Sequence, residues 1–247
     1  RDYRQVDQVG PGAWARARGD CASGRDPIGG GDSRDSGDGG LAGKLDHQAA
    51  VFRAGEDLAG VKPRGRAGHA PDGPLADLHQ GQVKQIVGAT LSDQGEPLTN
   101  FASGQPASHF ADLYRRDCLP GGHVIMLGPG NEEAAAQALA AFPGGLQLGG
   151  GITADNGPHW LERGAAALIA TSYVFGEGRL HRERLEALSA AVGREHLVLD
   201  LSCVSRQGRY FVATDRWQRL SDFEVHAANL ELLAGHCAEF LVHAVEV

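Results

Sequence analysis

The run GGHVIMLGPGNEEAAAQALAAFPGGLQLGGG, from Gly121 to Gly151, decides the fold class. It opens on a short aliphatic stretch, His123 to Leu127, passes through an alanine-rich segment from Glu132 to Phe142, and returns to a second short stretch, Leu146 to Leu148. Alanine is the strongest helix former, Asn131 stands where an N-cap belongs, and Glu132 and Glu133 put negative charge at the helix start, where the backbone dipole favours it. Strand, helix and strand within about thirty residues make a βαβ unit with parallel strands.

The same alternation extends outward from this unit. Further strands are expected at Val83 to Val87, Leu168 to Thr171, Leu197 to Asp200 and Phe240 to His243. Leu185, Leu188 and Val192 are spaced to give the segment from His181 one apolar helical face. Ser221 and Glu224 have capping-box spacing ahead of Leu230 and Leu233. A longer regularity overlies these elements: Asp77-Leu78, Gly81 and Val83 are echoed by Asp200-Leu201, Gly208 and Val212, and the strand at His123 is echoed by the strand at Phe240. A four-strand unit that begins again is half of an eight-stranded barrel. The expected fold is therefore an α/β, (β/α)8 barrel over residues 75–247, incomplete at about six of eight strands.

Residues 1–74 read differently. They hold 16 of the 36 glycines and 5 of the 11 prolines, a composition that marks low-complexity, disordered chain. Only a weak patch near Ala49 to Leu58 breaks the absence of period, and a leader is the expectation. The segment is charge-balanced, so the net charge of −8 falls on the remainder, where 20 acidic residues face 12 basic ones. That balance argues against a nucleic-acid partner. The four cysteines form no CxxC pair and read as reduced thiols. No apolar run approaches the roughly 18 residues of a membrane span, so a soluble, intracellular protein with no membrane partner is expected.

In β/α barrels, chemistry is carried by residues at the carboxyl ends of the strands and in the loops that follow. Asp200 closes the run Leu197-Val198-Leu199, and Asp77 precedes the turn at Gly81. If the repeat holds, the two carboxylates stand on strands one and five, on opposite sides of one sugar, as an acid and a base would. The three glycines Gly149, Gly150 and Gly151 follow a strand and precede a helix expected from about Asp155, a setting in which backbone N–H groups can hold a phosphate. Thr171 and Ser172, ending the next strand, can add hydroxyl donors. Trp217, in the loop after strand five, can stack on a planar ring or simply anchor that loop. His79, His123 and His243 match no metal-ligand spacing, and no metal is expected.

The ordered runs DLHQGQVKQIVG, GGHVIMLG, GGLQLGGGI, ATSYVF, LVLDLSC, ATDRWQ and EFLVHAVEV resemble the phosphoribosylformimino-5-aminoimidazole carboxamide ribotide isomerases of histidine biosynthesis, in their plant-like eukaryotic form. The resemblance covers about residues 75–247. It implies a cofactor-free Amadori rearrangement of a bis-phosphorylated ribosyl substrate, with Asp77 as general base at the C2 proton and Asp200 as general acid at the ring oxygen. It implies that Gly150, Gly151 and Ser172 hold one phosphate, that Trp217 packs on the substrate, and that the complete enzyme is a monomer in the plastid stroma or cytoplasm.

Two expectations qualify that reading. The approach to strand one, His69 to Asp77, contains two prolines and a glycine and makes a poor central strand. The family continues beyond the last strand read here, so an incomplete barrel is expected to turn over substrate poorly. The competing readings are the sister barrel that performs the following cyclase step, and a non-catalytic fragment.

Overall fold

The computed structural model describes residues 49–53, 74–86, 98–215 and 219–244. Within them lie β1 (Ala49–Arg53), β2 (Pro74–His79), β3 (Gln82–Ile86), β4 (Thr99–Ala102), α1 (Ala107–Arg116), β5 (Gly122–Met126), α2 (Glu132–Ala141), β6 (Leu146–Gly149), α3 (Gly157–Glu162) and β7 (Ala167–Ala170). The chain continues through a two-stranded hairpin, β8 (Phe175–Gly176) and β9 (Arg179–Leu180), then α4 (Arg182–Val192), β10 (Leu197–Arg206), β11 (Arg209–Thr214), β12 (Arg219–Glu224), α5 (Ala227–Ala234) and β13 (Glu239–Ala244).

Six strands, β2, β5, β6, β7, β10 and β13, pair side by side in sequence order, and every neighbouring pair is parallel. That order, with a helix between successive strands, is the winding of a β/α barrel. Among the described residues the sheet does not close on itself: β2 continues through β3 to β4 at one end, and β1 pairs antiparallel with β13 at the other. β1 lies inside the stretch read as a leader, at the one patch where that stretch showed a weak period.

The strand expected at Val83 to Val87 is not a barrel strand. Strand one is β2, which pairs parallel with β5, and β3 folds back on it as an antiparallel hairpin arm. Strand one tolerates its proline because Pro74 occupies the first position, where the missing N–H matters least. Strand five repeats the device, since β10 runs into the antiparallel arm β11, which pairs in turn with β12. Both hairpins turn on a Gln-Gly pair in the left-handed region, Gln80 (φ 54°) with Gly81 (φ 73°) and Gln207 (φ 52°) with Gly208 (φ 76°). Two positive φ values in a two-residue loop match the right-handed twist of the flanking strands. The half-barrel echo in the sequence is thus an echo of strand plus hairpin.

The capping box read at Ser221 and Glu224 is also corrected. Both residues lie in β12; Ser221 Oγ accepts the N–H of Phe223, and Glu224 pairs with Arg209. The helix that follows is capped by His226, whose Nδ1 accepts the N–H of Asn229. By contrast Leu185, Leu188 and Val192 are buried along α4, as their spacing requires.

The sheet has two distinct faces. One packs under the helices and holds the larger core, with Leu146, Leu148, Leu168, Leu197 and Leu199 against Leu139, Trp160, Leu185 and Leu188. The other carries a smaller cluster of Ala167, Ile169, Val198 and Leu241, with Ile125 beside it. Gln147 on β6 donates to Glu239 at the start of β13 at 2.9 Å, although two strands lie between them. Three strand spacings on a flat sheet span about 14 Å, further than these two side chains reach. The face carrying Ile169 and Val198 is therefore strongly concave, the inside of the barrel wall.

Candidate functional site at the carboxyl ends of the strands

Register fixes where the two aspartates stand. Asp77 pairs with Ile125, Ile125 with Gly149, Gly149 with Ile169, and Ile169 with Val198. Partners across parallel strands project to the same face, and Asp200 follows Val198 by two residues, so both carboxylates belong to the concave face. Asp200 stands one pleat nearer the carboxyl ends. Both are partly exposed.

Beside Asp200 opens a recess lined by Ile125, Met126, Leu127, Gly150, Gly151, Ile152, Ile169, Thr171, Ser172 and Asp200. It gathers five of the seven residues singled out in the sequence. Asp77 is not among its lining residues, and Trp217 lies outside the described residues. The recess is about 130 Å³, below the 300–1,000 Å³ typical of pockets that enclose a whole organic ligand, and so has the size for one end of one. Among the described residues neither Lys nor Arg lines it, so the donors there are backbone amides and hydroxyls.

The two glycines at its edge have different reasons to be glycine. A Cβ on Gly150 would stand 2.1 Å from the carbonyl oxygen of Met126, so only glycine lets the turn after β6 approach the end of β5. Gly151 also has positive φ, 69°, but nothing lies within 4 Å of the Cβ it lacks, so open space adjoins it. The turn is braced from outside by Asn156, whose Nδ2 donates to Gly151 O while its Oδ1 accepts the N–H of Thr153. α3 begins at Gly157, after this brace, and has only six residues. The helix starts within two residues of the position expected near Asp155, and the glycine turn lies just before it.

Thr171 and Ser172 differ in their surroundings. Thr171 Oγ1 donates to Asp200 Oδ2 at 3.1 Å, while Ser172 is exposed at the recess. Asn131 stands at the N-cap of α2, as expected, but its side chain makes no capping bond. Its fully buried side chain instead accepts the N–H of Gly81 and donates to Gly128 O and Leu127 O, joining the hairpin turn after strand one to the loop after strand two. Sequence reading missed both asparagines as supports of the site. The available signal was a small polar residue bordering a glycine-containing loop, which is also what an ordinary turn looks like.

His123 and Gln147 are buried on adjacent strands in mutual register, at the opposite end of the concave face from Asp200. The side chain of His243 lies outside the described residues. Among the described residues no group of three or more His, Cys, Asp or Glu is arranged to hold a metal. Cys203 and Cys237 are buried free thiols, as read in the sequence. Burial first, and then the negative charge of Asp200, push the Cys203 thiol up to about 12.

The winding and the recess define a β/α-barrel protein with a small recess at the carboxyl ends of its strands. The chain belongs to the family described as "Histidine biosynthesis protein", whose sequence profile matches residues 73–247. It is 51% identical over 181 residues to a chloroplastic 1-(5-phosphoribosyl)-5-((5-phosphoribosylamino)methylideneamino) imidazole-4-carboxamide isomerase of Medicago truncatula, an alignment covering 70% of this chain and 58% of that protein. Isomerases of the same name from Neurospora crassa and Saccharomyces cerevisiae are 52% and 46% identical, covering 70% and 69% of this chain and 69% and 67% of theirs. The chain thus spans between 58% and 69% of the length of these relatives.

Proposed function

We propose that this chain carries out the isomerisation named in its relatives, the conversion of a bis-phosphorylated ribosylaminoimidazole carboxamide from aminoaldose to aminoketose in histidine biosynthesis. The observation that carries the reading is the placement of two carboxylates, Asp77 and Asp200, on one concave face, with the glycine turn and Ser172 beside Asp200. The names of the relatives support the isomerase over the cyclase reading and over a fragment without chemistry.

In this reading Ser172 and the amides of the Gly150-Gly151 turn hold one phosphate, and Trp217 packs on the substrate. Asp200 gives its proton to the ring oxygen, the C1–O bond breaks, and the nitrogen lone pair forms a C1=N iminium. Asp77 takes the C2 proton, and the C–H electrons make the enaminol. Return of that proton to C1, with loss of the enol hydroxyl proton to Asp200, gives the ketose and restores both carboxyl groups. The steps balance without an oxidant or reductant, so the reaction asks for no cofactor. Plastid stroma and cytoplasm are both compatible settings; the Medicago truncatula relative is a chloroplastic protein.

The test is incubation of the full chain with the aminoaldose substrate in a chelating buffer, with product separated chromatographically. Formation of the ketose supports the proposal. Ammonia-dependent cyclisation of the ketose, without ketose formation from the aldose, would favour the cyclase instead.

A further inference from the structure

Thr171 was singled out as a phosphate ligand, and its geometry assigns it a different task. Resting on the isomerase reading, we infer that Thr171 is a positioning residue for Asp200, that its hydroxyl fixes which carboxyl oxygen carries the transferable proton, and that Ser172 alone supplies the side-chain hydroxyl to the anion.

A threonine hydroxyl has one proton to donate. Here it goes to Asp200 Oδ2 at 3.1 Å. The donor is itself rigidly held, because the backbone oxygen of Thr171 accepts the N–H groups of Val174 and Phe175 at 3.0 and 2.7 Å, and both of those residues are buried in the core. A β-branched side chain on a backbone fixed in this way has little rotamer freedom. Asp200 sits opposite on β10, just past the paired residues Leu199 and Ala170, so the bond ties the ends of strands four and five together. An oxygen that accepts this bond is disfavoured as the site of the acid proton, which is therefore carried on Oδ1. Ser172, the next residue, is exposed at the recess and has no such engagement with Asp200.

The test compares Thr171→Val, Thr171→Ser and Ser172→Ala in the full chain, with turnover of the aminoaldose and binding of inorganic phosphate both measured. For Thr171→Val, kcat is expected to fall about tenfold or more, with KM and phosphate affinity within about twofold of the unsubstituted chain. Thr171→Ser, which keeps the donor, is expected to restore kcat to within about threefold, and Ser172→Ala to weaken phosphate binding with a rise in KM. The inference is overturned if Thr171→Val weakens phosphate as Ser172→Ala does while kcat holds, or if it changes none of these quantities. An unsubstituted chain that neither converts the aminoaldose nor binds phosphate would instead overturn the isomerase reading itself.

Discussion

Asn131 Oδ1 accepts the backbone N–H of Gly81 at 2.8 Å, so a buried side chain at the head of α2 holds the turn that follows strand one. Asp77 lies only four residues before that turn glycine, on the strand that the turn ends. The same amide donates to Gly128 O at 2.9 Å, which makes Asn131 the joint between two strand ends.

Asn131→Ala removes the acceptor for Gly81 and the donor for Gly128, and empties the space of a fully buried side chain. A loss of about 1–3 kcal/mol in unfolding free energy is expected from the lost hydrogen bonds and the void. Urea denaturation of the full chain measures it. A loss under about 0.5 kcal/mol, the range of ordinary surface substitutions, would show that the turn does not rely on this residue.

The two recess glycines should respond unequally to alanine. Gly150→Ala drives a Cβ into the Met126 carbonyl, so either the turn moves or the chain loses at least about 3 kcal/mol. Gly151→Ala meets no atom and suffers only its positive φ, a cost of about 1 kcal/mol. Melting temperatures of the two variants give the order directly, and equal shifts would contradict the close approach of β5 and β6.

Much of the fold was legible in the sequence, and the exceptions have a common cause. The strands at His123, Leu146, Leu168, Leu197 and Phe240 are short apolar runs because parallel strands are covered on both faces. The hairpin arms β3 and β12 were misread, one as a barrel strand and one as a helix start. An antiparallel arm that rises above the barrel keeps a strand-like period without a helix to follow, and a serine three residues before a glutamate has the same spacing in a strand as in a capping box. In the site, the glycine turn and Asp200 could be read from their places after apolar runs. The bond from Thr171 to Asp200 could not, because it depends on the relative height of two strand ends that sequence spacing leaves open.

Gln147 and Glu239 offer a test of the curvature of the sheet. Gln147→Glu brings a second carboxylate against Glu239 in a buried setting, and a cost of about 2–3 kcal/mol at neutral pH is expected. Gln147→Leu removes a donor but also a buried amide oxygen that has no partner, so its effect should stay within about 1 kcal/mol. Urea unfolding distinguishes the two, and a neutral Gln147→Glu would mean that the side chains do not meet across the barrel.

The buried thiols predict an alkaline limit to stability. Burial raises Cys203 and Cys237 from 9.0 to about 12 in the folded chain. The unfolded thiols ionise from about pH 9 while the folded ones stay protonated, so the unfolded state gains. The stability is fully present below about pH 9 and is lost as pH rises toward 12, by about 1 kcal/mol per thiol at pH 10. Unfolding free energies at pH 8 and pH 10 should differ less in a Cys203→Ala, Cys237→Ala double variant. An unchanged pH slope in that variant would contradict the assignment.

The most direct test of the central claim is the turnover of the aminoaldose by the full chain and by Asp77→Asn and Asp200→Asn. Loss of either carboxyl is expected to lower kcat by about 100-fold or more, with both variants still binding inorganic phosphate as the unsubstituted chain does. Even a slow reaction suffices, because the claim is that it depends on both side chains. Conversion that survives either substitution at more than about half the original rate would contradict it.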